Sequence, residues 1–162
     1  EAYKIELLMN KAGVTTKDRK VVEAALRRAE ETGHTAAALE LPDGRVITGK
    51  TSELMGACSA LLIKALKVLA DIDRDVLLIT PNVIMPIQKL KVNYLGSRNP
   101  RLHMEEVLIA LSASSESNEV ADLALRQLPH LRGSQVHTSR MLSDTDEKTF
   151  QKLGVMLTSE PR

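Results

Sequence analysis

The 162-residue sequence is 43% hydrophobic and 27% charged, a composition that allows one domain with a core of its own. Its 22 basic and 21 acidic residues give a net charge of +1, and only 2% of its residues are aromatic, which argues against nucleic acid or an anionic membrane as a partner. A single cysteine, Cys58, excludes an internal disulfide, and no apolar run approaches the roughly 18 residues that cross a bilayer, so we expect a cytoplasmic protein.

The first 33 residues predict a helical lead-in to the main domain. Apolar residues at helical spacing between Tyr3 and Met9 indicate one helix, which ends at Gly13. A second helix is indicated by an apolar stripe through Val21, Val22, Ala25, Leu26 and Ala29, and it ends at Gly33. We therefore predict a lead-in over residues 1–33 and an α/β domain over residues 34–162. Because the sequence lacks both an initiating Met and a signal-peptide pattern, we expect a piece of a longer protein.

The next segment predicts a hairpin and a buried helix. Residues 35–48 form two short runs around Pro42-Asp43-Gly44, a sequence typical of a hairpin turn. Residues 54–70 are apolar nearly all round, which indicates a helix that is buried on most of its surface. Thr51 or Ser52 is the predicted N-cap of this helix.

The remainder of the chain alternates between strands and helices. Residues 75–80 form a short apolar run between charged residues and Pro81, so we interpret them as a strand buried at the centre of the sheet. Asp144 to Glu147 follow Ser143 in a pattern that predicts a capping box. The other predicted helices cover residues 84–95, 104–113 and 118–128, and the other predicted strands cover residues 134–142 and 154–157.

This order of elements, with a hairpin first, is that of the cytidine-deaminase-like fold: a three-layer α/β/α domain with a mixed sheet of about four or five strands. Ala36-Ala-Ala-Leu39 and Asp43-Gly-Arg-Val-Ile-Thr-Gly49 are similar to the first hairpin of cytidine deaminases. The resemblance implies that Cys58 matches one zinc ligand of that fold. It also implies that Ala60 replaces the proton-shuttling Glu, and that Asn82 and Met85 replace two thiolates. A catalytic zinc needs about three protein ligands, so we expect no zinc, no other cofactor and no deamination.

Several long stretches resemble the C-terminal part of an uncharacterised bacterial family, DUF1846, over nearly the whole chain. They begin at Asp43, Ile87, Leu95, Glu106 and Asp146, and read DGRVITGKTSELM, IQKLK, LGSRNP, EVLIALS and DEKTFQKLG. The resemblance implies a longer protein whose upstream part carries a Gly-rich Pro-Gly-Ser-Gly-Lys segment similar to a phosphate-binding loop. The family has no established activity, so the resemblance leaves the function open.

Candidate ligand-binding residues lie where the predicted strands end. Gly49, Lys50, Thr51 and Ser52 follow the hairpin and resemble the end of a phosphate loop, but the loop's first glycine is missing, since Gly44 is explained by the hairpin turn. The amides that begin the following helix could still hold an anion beside Lys50. A capped helix start predicts the same sequence without a ligand.

Further candidates come from the later strands and loops. Thr80 and Asn82 end the predicted central strand, where open α/β sheets usually bind ligands, but Asn82 also suits a helix cap. His137 and Thr138 lie on the strand over residues 134–142, where a histidine is more often structural than catalytic. Asn99 lies between arginines in a loop that either recognises anions or is a polar turn.

Three possible functions follow from these observations, the third of which is a remnant deaminase fold that binds a nucleoside without turning it over. The first is a non-catalytic module that packs against the upstream domain of the same protein or self-associates as a homo-oligomer. The second is part of a site for a nucleotide or another phosphorylated small molecule, in which Lys50, Ser52, Asn82 and His137 line a pocket completed by the upstream domain. We predict no catalytic residues in this chain.

Overall fold

The computed structural model describes residues 19–161, which form six α-helices and one four-stranded sheet. The predicted helix near Tyr3 lies outside the described residues. The strands are β1 (Ala36–Glu40), β2 (Val46–Lys50), β3 (Gln135–Thr138) and β4 (Met156–Ser159). The helices are α1 (Lys20–Thr32), α2 (Ala57–Leu69), α3 (Pro81–Lys89), α4 (Met104–Ser115), α5 (Glu119–Leu125) and α6 (Asp144–Leu153).

The sheet has the order β2-β1-β3-β4 and is mixed. β1 pairs antiparallel with both β2 and β3, whereas β3 and β4 are parallel. The carboxyl ends of β2 and β3 therefore lie at the same edge, because Ala36 and Ala37 of β1 pair with Lys50 and Thr138 respectively. Loops that leave this edge can meet around one site.

Helices cover both faces of the sheet, as a three-layer α/β/α arrangement requires. On one face Ala38 packs against Val21, Val22 and Ala25 of α1. On the other face β1, β2 and β3 pack against a larger core, to which α2, α4, α5 and α6 contribute. The small residues of β1 are buried on both faces, and this explains why its sequence does not alternate with polar residues. The α/β fold class and the helical start are thus confirmed.

The hairpin forms as predicted, and Gly49 fixes how closely α2 approaches it. Asp43 and Gly44 make the turn, with Asp43 accepting a hydrogen bond from the backbone N–H of Arg45 at 3.0 Å. A Cβ added at Gly49 would lie 2.6 Å from the backbone nitrogen of Leu61 and 2.9 Å from the carbonyl oxygen of Ala57. Gly49 is therefore needed for helix packing, and this accounts for it without a phosphate loop.

The predicted start and N-cap of α2 are wrong. α2 begins at Ala57, and its N-cap is Gly56, which has no side chain to accept a hydrogen bond. Ser52 instead accepts hydrogen bonds from the backbone N–H groups of Leu54 and Met55 in a separate turn. This local bonding to nearby amides competes with helix formation and delays the helix by one turn.

The predicted central strand over residues 75–80 is also wrong: the described residues between α2 and α3 contain no strand. The ammonium group of Lys67, on buried α2, donates hydrogen bonds to the carbonyl oxygens of Arg74 and Val76 at 2.6 and 2.7 Å. Asp73 accepts a further bond from the N–H of Asp75. These bonds use the backbone groups that a sheet ladder would need, so the apolar run forms an irregular loop. The described residues therefore lack the central strand that the deaminase-like order of elements predicts.

The later elements agree with their predictions apart from their ends. α3 continues as a π-helical segment, Leu90–Tyr94, before Gly96. Asn118 caps α5, whereas at α3 the cap position is Thr80, and Asn82, which the sequence suggests as a cap, is already helical. Only the first half of the predicted capping box forms, with Ser143 accepting from the N–H of Asp146. The third strand is shorter than predicted. None of the described helices is both long and apolar enough to cross a membrane.

Candidate functional site

A cavity of about 290 Å³ lies at the edge of the sheet where β2 and β3 end, beside the start of α2. Thr51, Asn99 and Thr138, which the sequence predicts as ligand-binding residues, line this cavity together. Open α/β sheets bind ligands at the carboxyl ends of strands, and the cavity has that position. Its other polar lining residues are Thr35, Arg101, His103, Arg140, Ser143 and Asp146.

The loop over residues 97–103 forms one wall and is held by its backbone. Leu102 donates its N–H to the carbonyl of Leu54 at 3.0 Å, and its own carbonyl accepts bonds from the N–H of Gly56 and the hydroxyl of Ser59. Lys91 donates from its ammonium group to the carbonyl of Arg101 at 2.6 Å. Bonds on both sides therefore fix the loop against α2 and the π-helical segment.

Two arginines bring positive charge to the cavity. The Nε of Arg101 donates to the carbonyl of Ser52 at 2.6 Å, and the backbone N–H of Arg101 donates to the Oδ1 of Asn99 at 3.0 Å. The side chain of Arg140 makes no hydrogen bond or ion pair with any other described residue. Neither guanidinium group forms an ion pair with an acidic residue among residues 19–161.

Among the described residues, the cavity wall has one carboxylate, that of Asp146, and its pKa is raised. Burial raises the pKa of Asp146, and only in part is this opposed by the backbone N–H of Met104, which donates to its Oδ1 at 3.0 Å. His103, at the N-cap of α4, forms a reciprocal capping box with Glu106. The cavity therefore has a positive electrostatic balance.

A second cavity, of about 550 Å³, adjoins the first and shares Thr51 and Arg101 with it. Lys50 and Ser52, two further predicted residues, line this cavity, together with His34, Glu53 and Leu54. The predicted group Lys50, Thr51 and Ser52 therefore lies around one opening. It does so without a phosphate loop, because the following helix starts later than predicted.

Thr80 and Asn82 lie away from both cavities. Both side chains are exposed, at the start of α3. Their predicted position depended on a strand over residues 75–80, which the structure does not contain. The structure therefore does not bring Asn82 together with Lys50 and Ser52.

His137 lies on the opposite face of the sheet from Thr138, under α1, and its side chain is fully buried. Its Nδ1 lies 2.6 Å from the Thr158 hydroxyl and its Nε2 lies 2.7 Å from the Glu160 carboxylate. Arg19 also donates to the Thr158 hydroxyl, at 2.8 Å. Burial lowers the pKa of His137, although the nearby Glu160 raises it in part. A hydroxyl, an imidazole and a carboxylate in line resemble a catalytic triad, but burial keeps a substrate from the hydroxyl.

The residues at the deaminase ligand positions do not form a metal site. Cys58 is buried on the cavity wall, and burial raises the pKa of its thiol well above the usual range. Asn82 and Met85 are exposed on α3. Within residues 19–161 no group of three or more His, Cys, Asp or Glu side chains could hold a metal ion. The thiol of Cys58 therefore has the character of a structural residue and not of a ligand or nucleophile.

An exposed apolar surface lies on α3 and its π-helical extension, and we call it the α3 strip. It consists of Met85, Leu90, Tyr94 and Leu95, which are 60%, 47%, 70% and 71% exposed. Tyr94 is one of the few aromatic residues of the chain. A π-helical turn is rare and is often found at functional positions. The sequence predicted the helix but not which of its faces stays outside the core.

Sequence reasoning missed Arg140 and Asp146 as parts of the candidate site. Arg140 follows the predicted residue Thr138 by two positions, and Thr138 donates its hydroxyl hydrogen to the Arg140 carbonyl. Because β3 ends at Thr138 and the chain turns there, Arg140 reaches the cavity. Asp146 was assigned only to a helix cap.

Comparison with known proteins shows to which proteins the chain is similar. Residues 17–162 match the family model described as domain of unknown function DUF1846, C-terminal. A UPF0371 protein of Streptococcus thermophilus (strain CNRZ 1066) is 52% identical over 158 residues. UPF0371 proteins of Corynebacterium urealyticum and Streptococcus pyogenes (serotype M5) are 54% and 51% identical over 159 and 158 residues. Each alignment covers 98% of this chain but only 32% of the relative.

Proposed function

Because the chain belongs to the uncharacterised DUF1846 family, whose matched relatives extend well beyond it, we propose that it is a non-catalytic module that packs against another part of the longer protein. The alignments leave about two thirds of each relative unmatched, which provides a partner in the same polypeptide. The observation that supports this proposal is the exposed α3 strip.

The composition of the α3 strip is that of an interface. Aromatic residues and Met are enriched at the centres of protein interfaces, and Tyr is a frequent hot-spot residue. Tyr94 and Leu95 are more than two thirds exposed, and Met85 and Leu90 lie on the preceding turns. Exposed apolar side chains are costly to leave in water, so a surface that covers them would stabilise the protein.

The chemistry of the chain also favours a module without catalysis. The buried thiol of Cys58 is inert, and His137 is enclosed by Thr158 and Glu160. Among the described residues, the hydroxyl that bonds a histidine is that of Thr158, and it is buried. Packing against the rest of the polypeptide needs none of these groups.

Hydrogen exchange tests the proposal. Amides of residues 85–95 are expected to exchange more slowly in a longer family protein than in the 162-residue chain, because the covered strip excludes water and resists opening. Protection that grows with protein concentration would instead indicate self-association through the same strip. Equal exchange in both proteins at all concentrations would contradict the proposal.

A matched pair of substitutions tests the same surface by stability. Leu95→Glu in the longer protein is expected to lower its melting temperature, since a charge replaces a covered leucine. Ile109→Glu is the control, because Ile109 is an equally accessible apolar residue on α4, 63% exposed and outside the strip. Equal effects of the two substitutions would contradict a specific interface at the α3 strip.

A further inference from the structure

We infer that the cavity beside the start of α2 binds the phosphate group of a small phosphorylated molecule between Arg101 and Arg140. This inference concerns a different surface from the α3 strip and does not depend on the packing proposal. It starts from Arg101 and Arg140, which line one cavity and form no ion pair with a described acidic residue.

Arginine pairs are suited to phosphate, because each planar guanidinium group can donate two parallel hydrogen bonds to the phosphate oxygens. The bond from the Nε of Arg101 to the Ser52 carbonyl fixes the direction of that side chain and leaves its terminal amino groups free. Arg140 is held through its backbone, since its carbonyl accepts the Thr138 hydroxyl hydrogen. The guanidinium group of Arg101 is thus positioned by a bond that a ligand would not have to break, and the side chain of Arg140 extends from a backbone that is held in place.

Neutral donors complete the site. The hydroxyl of Thr51 makes no hydrogen bond with other described residues. The oxygen of the Asn99 side chain accepts the Arg101 N–H, and its amide nitrogen makes no hydrogen bond with another described residue. The first N–H groups of α2 also border the cavity at Ala57 and Cys58, where Gly56 provides no capping side chain. Guanidinium groups, neutral side chains and backbone N–H groups therefore line the same cavity. Its one described carboxylate, that of Asp146, already accepts a hydrogen bond from the Met104 N–H.

The dimensions of the space narrow the ligand class. A volume of about 290 Å³ is at the lower end for ligand pockets, so it suits a phosphate with little else. The adjoining cavity shares Thr51 and Arg101 and has room for the rest of the molecule. Its described lining is Lys50, Ser52, Glu53, His34 and Leu54, with no Phe, Tyr or Trp to stack on a base. A phosphorylated polyol or sugar therefore fits better than a nucleotide.

Inorganic phosphate is the probe that tests the site. We expect phosphate to raise the melting temperature of the 162-residue chain in a saturable way, above the effect of chloride at the same ionic strength. Arg140→Gln is expected to weaken the apparent affinity by about tenfold, because one charged bidentate donor is lost. Without phosphate this variant should melt as the unchanged chain does, since Arg140 makes no side-chain bond with another described residue.

Arg98→Gln is the matched control. Arg98 lies in the same loop as Arg101, is exposed, and does not line the cavity. We expect it to change the phosphate affinity by less than about twofold, in keeping with a screened distant charge. Equal losses in Arg98→Gln and Arg140→Gln would show general attraction of anions and overturn the inference. So would a phosphate effect that chloride reproduces at equal ionic strength.

Discussion

Gly49 shows how much one residue can determine in this fold. It lies in β2, where its hydrogen atom faces the backbone of α2 at Ala57 and Leu61. A glycine in a strand commonly marks a close approach of another backbone. The backbone of a packed helix cannot move aside as the end of a flexible side chain can, so any larger residue must displace α2.

We therefore expect Gly49→Ala to destabilise the protein by about 2–3 kcal/mol, the upper part of the range for an overpacked core. Urea unfolding of the chain measures this change. Gly56→Ala is the matched control, because a Cβ there meets nothing within 4 Å and its φ of −71° is ordinary. The control should differ by less than about 1 kcal/mol, since losses at the cap and gains in chain entropy partly cancel. A tolerated Gly49→Ala would mean that α2 can shift.

At the residue scale, the candidate site was predictable only in part. Thr51 was found because it follows a strand that the sequence pattern indicates, and Thr138 because it lies on one. Asn99 was found from its polar turn. Thr80 and Asn82 were assigned from a strand that does not form, so their position did not carry over. Arg140 escaped because an exposed arginine after a strand has no distinctive local pattern.

At the scale of elements, the hairpin and most helices follow from local sequence, because their turn residues, caps and apolar spacing all agree. The exception is the loop between α2 and α3. Its apolar run resembles a buried strand, yet Leu77 is 63% exposed and only Leu78 and Ile79 are buried. Lys67, on the preceding helix, holds this loop by donating to the carbonyls of Arg74 and Val76, seven and nine residues further along the chain. Periodicity within the run cannot reveal that contact.

Lys67→Met is expected to destabilise the chain by about 1–3 kcal/mol, because the carbonyls of Arg74 and Val76 lose a charged donor. Burial lowers the pKa of Lys67, so removal of the desolvated charge offsets a part of that loss. Thermal unfolding measures the net change, and faster hydrogen exchange over residues 74–80 locates it.

The control for this change is Lys64→Met on the same helix. Lys64 is exposed and makes no hydrogen bond with another described residue. Its substitution should alter stability by less than about 0.5 kcal/mol, as surface changes usually do. If both substitutions had the same effect, Lys67 would not hold the loop.

For the whole molecule, the two faces of the sheet differ in kind. The face toward α2, α4, α5 and α6 is covered by a large apolar core, which stabilises the fold largely independently of pH. The face toward α1 is covered by a small apolar cluster and by a polar network around His137. Any pH response of overall stability near neutrality is therefore expected to come from the α1 face.

The direction of that response follows from His137. Burial holds its pKa below the ordinary value of about 6.5, so the unfolded chain takes up a proton first as the pH falls. The contribution of His137 to stability is complete above pH 6.5 and decreases below it, by at most about 1.4 kcal/mol per pH unit. The decrease ends where the folded protein itself becomes protonated.

The charged groups that face His137 modify this range. Glu160 contacts its Nε2 and favours the protonated ring, whereas Arg19, bonded to Thr158, opposes it. Removal of the carboxylate by Glu160→Gln is therefore expected to lower the pKa of His137 further and to extend the loss of stability to lower pH. Urea unfolding from pH 7.5 to 5 measures both effects. The same profile in His137→Asn as in the unchanged chain would assign the response to other groups, and His130→Asn, at an exposed position, should leave it unchanged.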